Sequence, residues 1–482
     1  MDNTLPDWAK KHQTKGTQIV KIRENYYLYK ISSKWDKKKK RARKVTEKYL
    51  GKVTQEGIIK PKHERVLSQL DKISIKEFGA SSLLTHICHN LKEDLKNVFL
   101  SDWKTIFSFA VLRFFEQSPI KNLMHHFEHS FLSSLFPDAD LRQKQVSLLL
   151  EKIGSRRHNM VEYMQKNCTT KKNLLVDLTH IFSSSENLTW LSLGHNSAGQ
   201  FHPQLNMLLL FSKDENMPVY FRLLDGAVKD VSSIKGTIDE TGIKDVIFVG
   251  DKGFFSEGNE EVCDFSDIRH IFPIRRNSTL IDYSVMKQQS RRHFDGYFFF
   301  CERHVWHKTA QVNGKRCILF FDERLKTEEE NCFLSRIDKK QSEFEEFYDK
   351  EHTLGTIAVL TNVGSLSAED VYQYLKARTN IEVVFDTFKN ILEADKTYMQ
   401  NDAKLYGWMF INFIALQMYY TLYGILLKKK LLNTYSPQDI LLYFSKIYSV
   451  KIGEKEIISE VPKTTRVLME KFGITLDILL KK

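Results

Sequence analysis

One nine-residue run constrains this chain more than any other: Leu174-Leu175-Val176-Asp177-Leu178-Thr179-His180-Ile181-Phe182. A nearly continuous apolar run of this length is the pattern of a strand covered on both faces, and such strands belong to sheets with layers packed on either side. Asp177 interrupts the run. A carboxylate within a buried strand is costly unless it is paired, hydrogen-bonded or coordinating a metal, so the fold has a use for this charge. A second apolar run, residues 245–250, ends at Asp251, which places another acid at the carboxyl end of a strand, where open α/β sheets form their sites. Gly250 and Gly253 allow a tight turn there. Further strand-like runs at 205–211, 219–224, 270–274 and 355–362, with helical patterns between them, make the chain α/β.

The third acid is on a helix. In the stretch YLKARTNIEVVFDTFK (374–389), Arg378, Glu382, Phe385 and Lys389 recur at helical spacing and share a face, beside an apolar stripe of Ile381, Val384, Phe388 and Leu392. Ser367 to Asp370 reads as the N-terminal cap of this helix. Such a charged face is ordinarily only solvated, with i,i+4 pairing. Two sheet carboxylates and one helix carboxylate, however, can converge on a pair of hard divalent cations. Ions of that kind, about 4 Å apart, stabilise the attacking and leaving oxygens of a phosphoryl displacement. The expected metal ligands are Asp177, Asp251 and Glu382, holding two Mg²⁺ ions with Mn²⁺ able to substitute, while Arg378 and Lys389 are placed to hold DNA phosphates.

Charge supplies the partner. The chain of 482 residues carries a formal +12, unevenly placed. Its densest positive run comprises Lys37, Lys38, Lys39, Lys40, Arg41, Arg43 and Lys44, between strand-like segments spanning 19–60. A hairpin with that tip would present cations to phosphates and release counterions on binding. Residues 66–168 have helical periodicity, with His125, His126 and His129 on a helix surface that reads as polar. The six cysteines contain no CxxC pair, which fits buried thiols in a reducing compartment. Cys301, His304 and His307 have ligand-like spacing but no strong fourth ligand. Residues 408–427 approach the length of a membrane span, yet Asn412, Gln417 and Thr421 within them favour a buried helix. No membrane partner is expected.

The ordered blocks VDLTHIF, LGHNSAGQFHPQLNMLLLF, PVYFRLLDGAVKDVSSI, VIFVGDKGFFS and GTIAVLTN, leading into YLKARTNIEVVFDTFK, resemble the DDE transposases of prokaryotic insertion sequences, in the insertion-sequence-four superfamily. The resemblance covers about 170–275 and 355–425. Arg378, Glu382 and Lys389 match that family's Tyr-Arg-Glu-Lys signature. Tyr374 stands four residues before the arginine, where the family usually has three, and Thr379 follows it.

The resemblance implies an RNase H-like catalytic core, a mixed sheet with flanking helices, interrupted by a β-rich insertion, with helical N-terminal and C-terminal regions. The corresponding division is a basic β-hairpin DNA-binding region (1–65), a helical domain (66–168), a first core segment (169–275), the insertion (276–352), a second core segment (353–392) and a C-terminal helical region (393–482). It further implies binding of double-stranded DNA at the element's terminal inverted repeats, cut-and-paste cleavage and strand transfer, and a homodimer in the synaptic complex. Location would be cytoplasmic, at the nucleoid when DNA is bound. Tyr374 joins the expected phosphate-binding residues on this basis. Two other readings remain open: a structure-selective nuclease on the same core, which would hydrolyse without strand transfer, and a degenerate remnant that binds DNA without cutting.

Overall fold

The computed structural model describes residues 5–37, 40–64, 73–168, 174–193, 202–226, 236–237, 239–240, 242, 246–250, 268–288 and 290–480. Asp251, Lys38, Lys39 and most of residues 231–241, whose pattern is helical, lie outside them. The chain divides into two compact units, one of residues 1–78 with 447–461 and one of 79–446 with 462–482.

In the first unit, β1 (Thr17–Ile22), β2 (Asn25–Asp36), β3 (Arg41–Thr54) and β4 (Gly57–Ile59) form an antiparallel sheet in that order. Ala9, Ile19, Leu28 and Val53 make its small core, with Trp8 and Tyr26 against it. A second sheet joins β5 (Ile73–Glu77) to a hairpin formed late in the chain, described below.

The second unit is mixed α/β. Its sheet contains β6 (Leu174–Ser183), β7 (Ser192–Leu193), β8 (Pro203–Ser212), β9 (Met217–Asp225), β10 (Val246–Val249), β11 (Arg269–Ile274), β12 (Gly296–Phe300), β13 (Arg303–Val312), β14 (Lys315–Asp322), β15 (Thr356–Thr361) and β16 (Lys396–Thr397). The main path runs β12-β13-β14-β15-β11-β10-β6-β8, with β9 on the far side of β8. β10 is parallel to both β6 and β11, while β8 is antiparallel to β6 and β9. Leu174, Leu175, Val176 and Ile181 are fully buried, as a strand covered on both faces requires.

The structure adds two features to the expected division. Strands β12 to β14, from the stretch expected as a separate insertion, extend the same sheet, because β14 pairs along its length with β15. That stretch also holds a helix, Glu323–Asp338, capped by the Asp322 carboxylate, which accepts from the Arg324 and Leu325 N–H groups. The region from 393 onward is not wholly helical. Strands β17 (Tyr448–Ile452) and β18 (Lys455–Ile458) form a hairpin, and β17 pairs with β5 nearly four hundred residues earlier. Long-range pairing of this kind leaves no trace in local periodicity.

Helix Asp402–Lys428 is the spine of the second unit. The Asn401 side chain accepts from the Lys404 N–H at 2.8 Å to start it. It is long and apolar enough to cross a membrane, but 72% of its most apolar window is buried inside the fold. It packs against helices Gln143–Ser155 and Trp103–Glu116 and against β9. Its polar residues are used inside: Gln417 accepts from Tyr163 Oη at 2.9 Å and donates to the Pro218 carbonyl at 3.1 Å.

Candidate active site

The site begins at the edge of β6. β8 follows one edge of this strand from Leu174 to Phe182, so β10 and β16 share the other. β10 accompanies it as far as Val176, and β16 rejoins it at Phe182, whose N–H donates to the Asp395 carbonyl at 2.9 Å. No described strand pairs with the edge between them. By strand alternation the Leu178 N–H points to that edge, and it donates to Asp177 Oδ1 at 2.8 Å. Asp177 therefore sits where the sheet parts, with Oδ2 turned toward the helix above.

That helix is Ala368–Asp386, and its expected cap is present: Asp370 N–H donates to Ser367 Oγ at 3.0 Å, and Ser367 N–H returns a bond to Asp370 Oδ2 at 3.0 Å. The apolar stripe Ile381, Val384 and Phe388 is buried, as its spacing requires. Arg378 and Glu382 stand one turn apart on an adjoining face. One guanidinium nitrogen lies 3.0 Å from Glu382 Oε1 and another 3.7 Å from Asp177 Oδ2. Two carboxylates 205 residues apart thus converge on one cation. Glu382 is the open partner, its side chain 52% exposed against 16% for Asp177. Arg378 Nε is buried and has no hydrogen-bond partner among the described residues. A buried donor of this kind on a charged group costs stability unless an acceptor arrives.

Immediately beyond, Thr387–Ile391 forms a π-helical turn, in which the Leu392 N–H donates to the Thr387 carbonyl at 3.0 Å. Insertions of this kind recur at functional sites. Here the turn carries Lys389, whose ammonium is pulled below its ordinary value by burial, against the nearby carboxylate of Asp395. His180, from β6, is pushed down to about 4 by burial and then by Lys389.

The helical layer fixes this turn from behind. Arg113, only 3% exposed, donates to the carbonyls of Leu392 and Ser118 and to Asn412 Oδ1, and its guanidinium lies over the Trp408 ring. Burial lowers it to about 10, so it keeps its charge at neutral pH. Gln117 donates to the Ile391 carbonyl at 2.7 Å. Replacing Arg113 with methionine should destabilise the protein by about 2–4 kcal/mol in urea unfolding, because two buried carbonyls and the Asn412 oxygen lose their donor. Gln117→Ala should cost about 1 kcal/mol.

His180 also sets an acid limit. Its unfolded ring protonates near 6.5 and the folded ring only near 4, so unfolding takes up a proton in between. Its contribution to stability is complete above pH 6.5 and is lost progressively as the pH falls toward 4. His180→Gln should flatten that part of a melting temperature versus pH curve.

The expected residues thus fall into four groups. Asp177, Arg378 and Glu382 are brought together, with Lys389 in the π-helical turn that follows; Asp251 follows Gly250 but lies outside the described residues. Tyr374, expected to meet phosphate, is instead 2% exposed, with the Lys213 ammonium 4.4 Å over its ring. Tyr374 belongs to the buried stripe with Val371, Ala377 and Ile381, a placement its helical spacing already signalled. Lys37, Lys40, Arg41, Arg43 and Lys44 are in the first unit, on β3 and the turn before it. His180, Arg113 and Gln117 had no sequence signal, beyond His180 being a further polar residue in the apolar run. Among the described residues no group of three or more His, Cys, Asp or Glu side chains gathers closely enough to hold a metal, the Cys301/His304/His307 and His125/His126/His129 groups included. The Asp177 and Glu382 oxygens, both aimed at the Arg378 cation, are hard donors that fit a divalent ion.

The family model described as "Transposase DDE domain" matches residues 169–418, just over half the chain. The chain belongs to the DDE transposases. No curated protein matches it. Among solved structures, it is similar to the cryo-EM structure of the piggyBac transposase synaptic complex with hairpin DNA, at 9% identity and a TM-score of 0.32. That match covers 68% of this chain and 57% of the other, so the chain spans little more than half of the piggyBac protein's length.

Proposed function

We propose that this DDE transposase binds duplex DNA at the ends of its own element, cleaves it in a metal-dependent reaction and joins the freed 3′-hydroxyl to a target. The observation that carries this reading is the convergence of Asp177 and Glu382 on the Arg378 guanidinium. In this account Asp177 and Glu382 hold divalent ions, with Asp251 the expected third ligand. Bound there, two Mg²⁺ or Mn²⁺ ions would supply Lewis-acid stabilisation of the attacking and leaving oxygens. Arg378 exchanges its carboxylate partners for a phosphate and so gains an acceptor for its orphaned Nε. Lys389, which burial already makes a reluctant cation, regains an ordinary affinity for its proton beside a phosphodiester. Cations from Lys37 to Lys44 bind the phosphates of the duplex.

The mixed sheet with its flanking helices supports an RNase H-like reading of the core, and the sequence blocks around Asp177, Asp251 and Glu382 support membership of the insertion-sequence-four superfamily. A homodimer bringing two ends together, and action in the cytoplasm at the nucleoid, belong to the same reading. The test is cleavage of duplexes carrying the gene's flanking sequences, with Mg²⁺ or Mn²⁺, comparing wild type with Glu382→Ala. Metal-dependent cutting that disappears in the variant, with transfer of a labelled 3′ end into a second duplex, is the expected result. Cutting without transfer would favour the nuclease. End binding with no cutting by wild type would favour the degenerate binder.

A further inference from the structure

Strands β2 and β3 outrun the sheet they belong to. β1 pairs with β2 only up to Lys30, and β4 pairs with β3 only from Lys52 onward. The Ile31 N–H still donates to the Gly16 carbonyl at 2.8 Å, but from Ser32↔Val45 to Asp36↔Arg41 no other described strand pairs with the two. The core of the unit ends at Leu28 and Val53, and beyond it Ser33, Lys34, Trp35, Arg41, Ala42, Arg43, Lys44 and Thr46 are all exposed. A two-stranded ribbon with so little packing on either face is marginal in water.

Its charge is as uneven as its packing. Ten basic residues and two acidic ones lie between Lys30 and Lys48, an excess of eight within a chain whose total is +12. Register and strand alternation divide them between faces. Lys34 stands directly opposite Arg43, with Arg41 on the same face. The other face carries Lys44 opposite Ser33, and Trp35, 66% exposed, opposite Ala42. Like charges directly opposite one another destabilise a strand pair, so Lys34 and Arg43 weaken the free ribbon and would strengthen it once a polyanion lies between them and solvent. An arm that rested on a phosphate backbone would need cations on one face only. This one has them on both faces and at its turn.

We propose that the β2–β3 ribbon enters the major groove of duplex DNA edgewise, with its two faces turned to the opposite phosphate walls. A major groove about 12 Å wide admits a two-stranded ribbon, and each neutralised phosphate adds about 0.9 to the salt dependence of binding. The inference rests on the reading of this chain as a DNA-binding transposase, and deepens it by assigning the ribbon's groove and orientation.

The experiment measures binding of the full chain, without metal, to a 30-base-pair duplex across a salt series, for wild type, Lys34→Ala/Arg43→Ala and Trp35→Ala/Lys44→Ala. Every substituted residue is exposed, and an unchanged melting temperature confirms folding. Each double variant should bind about tenfold more weakly, and the salt slope should fall by about two for the first and one for the second. A duplex whose major groove is filled by glucosylated hydroxymethylcytosine should bind wild type as weakly as the variants do, while netropsin in the minor groove should leave binding unchanged. Loss confined to one face would overturn edgewise entry, and displacement by netropsin but not by the glucosylated duplex would overturn the groove. Wild-type affinity in both variants would overturn the ribbon's role while leaving the DNA-binding reading intact. A wild-type chain that binds no duplex at all would bring down that reading as well.

Discussion

Asp177→Asn is expected to abolish DNA cleavage, by about 10³-fold or more, while leaving duplex binding intact. A loss of that size corresponds to roughly 4 kcal/mol of transition-state stabilisation. The reason is local. Asp177 is the one charged residue in a strand otherwise buried from Leu174 to Val176, at the point where β10 leaves the edge of β6. Asparagine keeps the volume and can still accept from the Leu178 N–H. It removes the negative charge that a divalent ion needs, and weakens the hold on the Arg378 guanidinium, which is a long contact of 3.7 Å even now. Binding should hold or tighten, since the variant removes an anion from a surface meant for phosphates. Single-turnover cleavage of a labelled duplex measures the first effect and anisotropy the second. Wild-type cutting by the variant would place the chemistry elsewhere.

The largest effect on stability is expected from Gly407→Ala. Helix propensity alone gives this change the opposite sign, a gain of about 1 kcal/mol for alanine over glycine. The packing decides otherwise. A Cβ on Gly407 would lie 2.2 Å from the Leu150 carbonyl oxygen, and one on Gly154 would lie 1.7 Å from the Ala403 carbonyl oxygen. The two glycines face each other's helices at one crossing, between Gln143–Ser155 and Asp402–Lys428, so neither backbone can yield without moving the other. These helices also hold the layer from which Arg113 and Gln117 grip the turn after Glu382. Gly407→Ala should therefore cost about 3 kcal/mol or more, read by chemical unfolding, and Gly154→Ala should do the same. A neutral Gly407→Ala would mean that the crossing is looser than its backbone approach indicates.

Much of the site was legible beforehand because its signals are local. An acid inside an apolar run, and the i,i+4 spacing of Arg378 and Glu382 behind a serine cap, can each be read from a few consecutive residues. The spacing also contained the correct place of Tyr374, three residues from Val371 and from Ala377. The ring is buried as that periodicity requires.

The remainder depends on partners far apart in the chain. The π-helical turn that carries Lys389, the carbonyl bonds from Arg113 and Gln117, and the lowered basicity of His180 arise where segments tens to hundreds of residues apart meet. The same holds for β17, which pairs with β5, and for β14, which draws the expected insertion into the main sheet. The sequence by itself determined which residues are charged, which strands are buried and where the acidic helix begins, because propensity, capping and periodicity act within a few residues. Only the tertiary structure decided that Asp177 and Glu382 share one cation, since that depends on where a sheet edge opens beneath a helix, a distance no local pattern encodes.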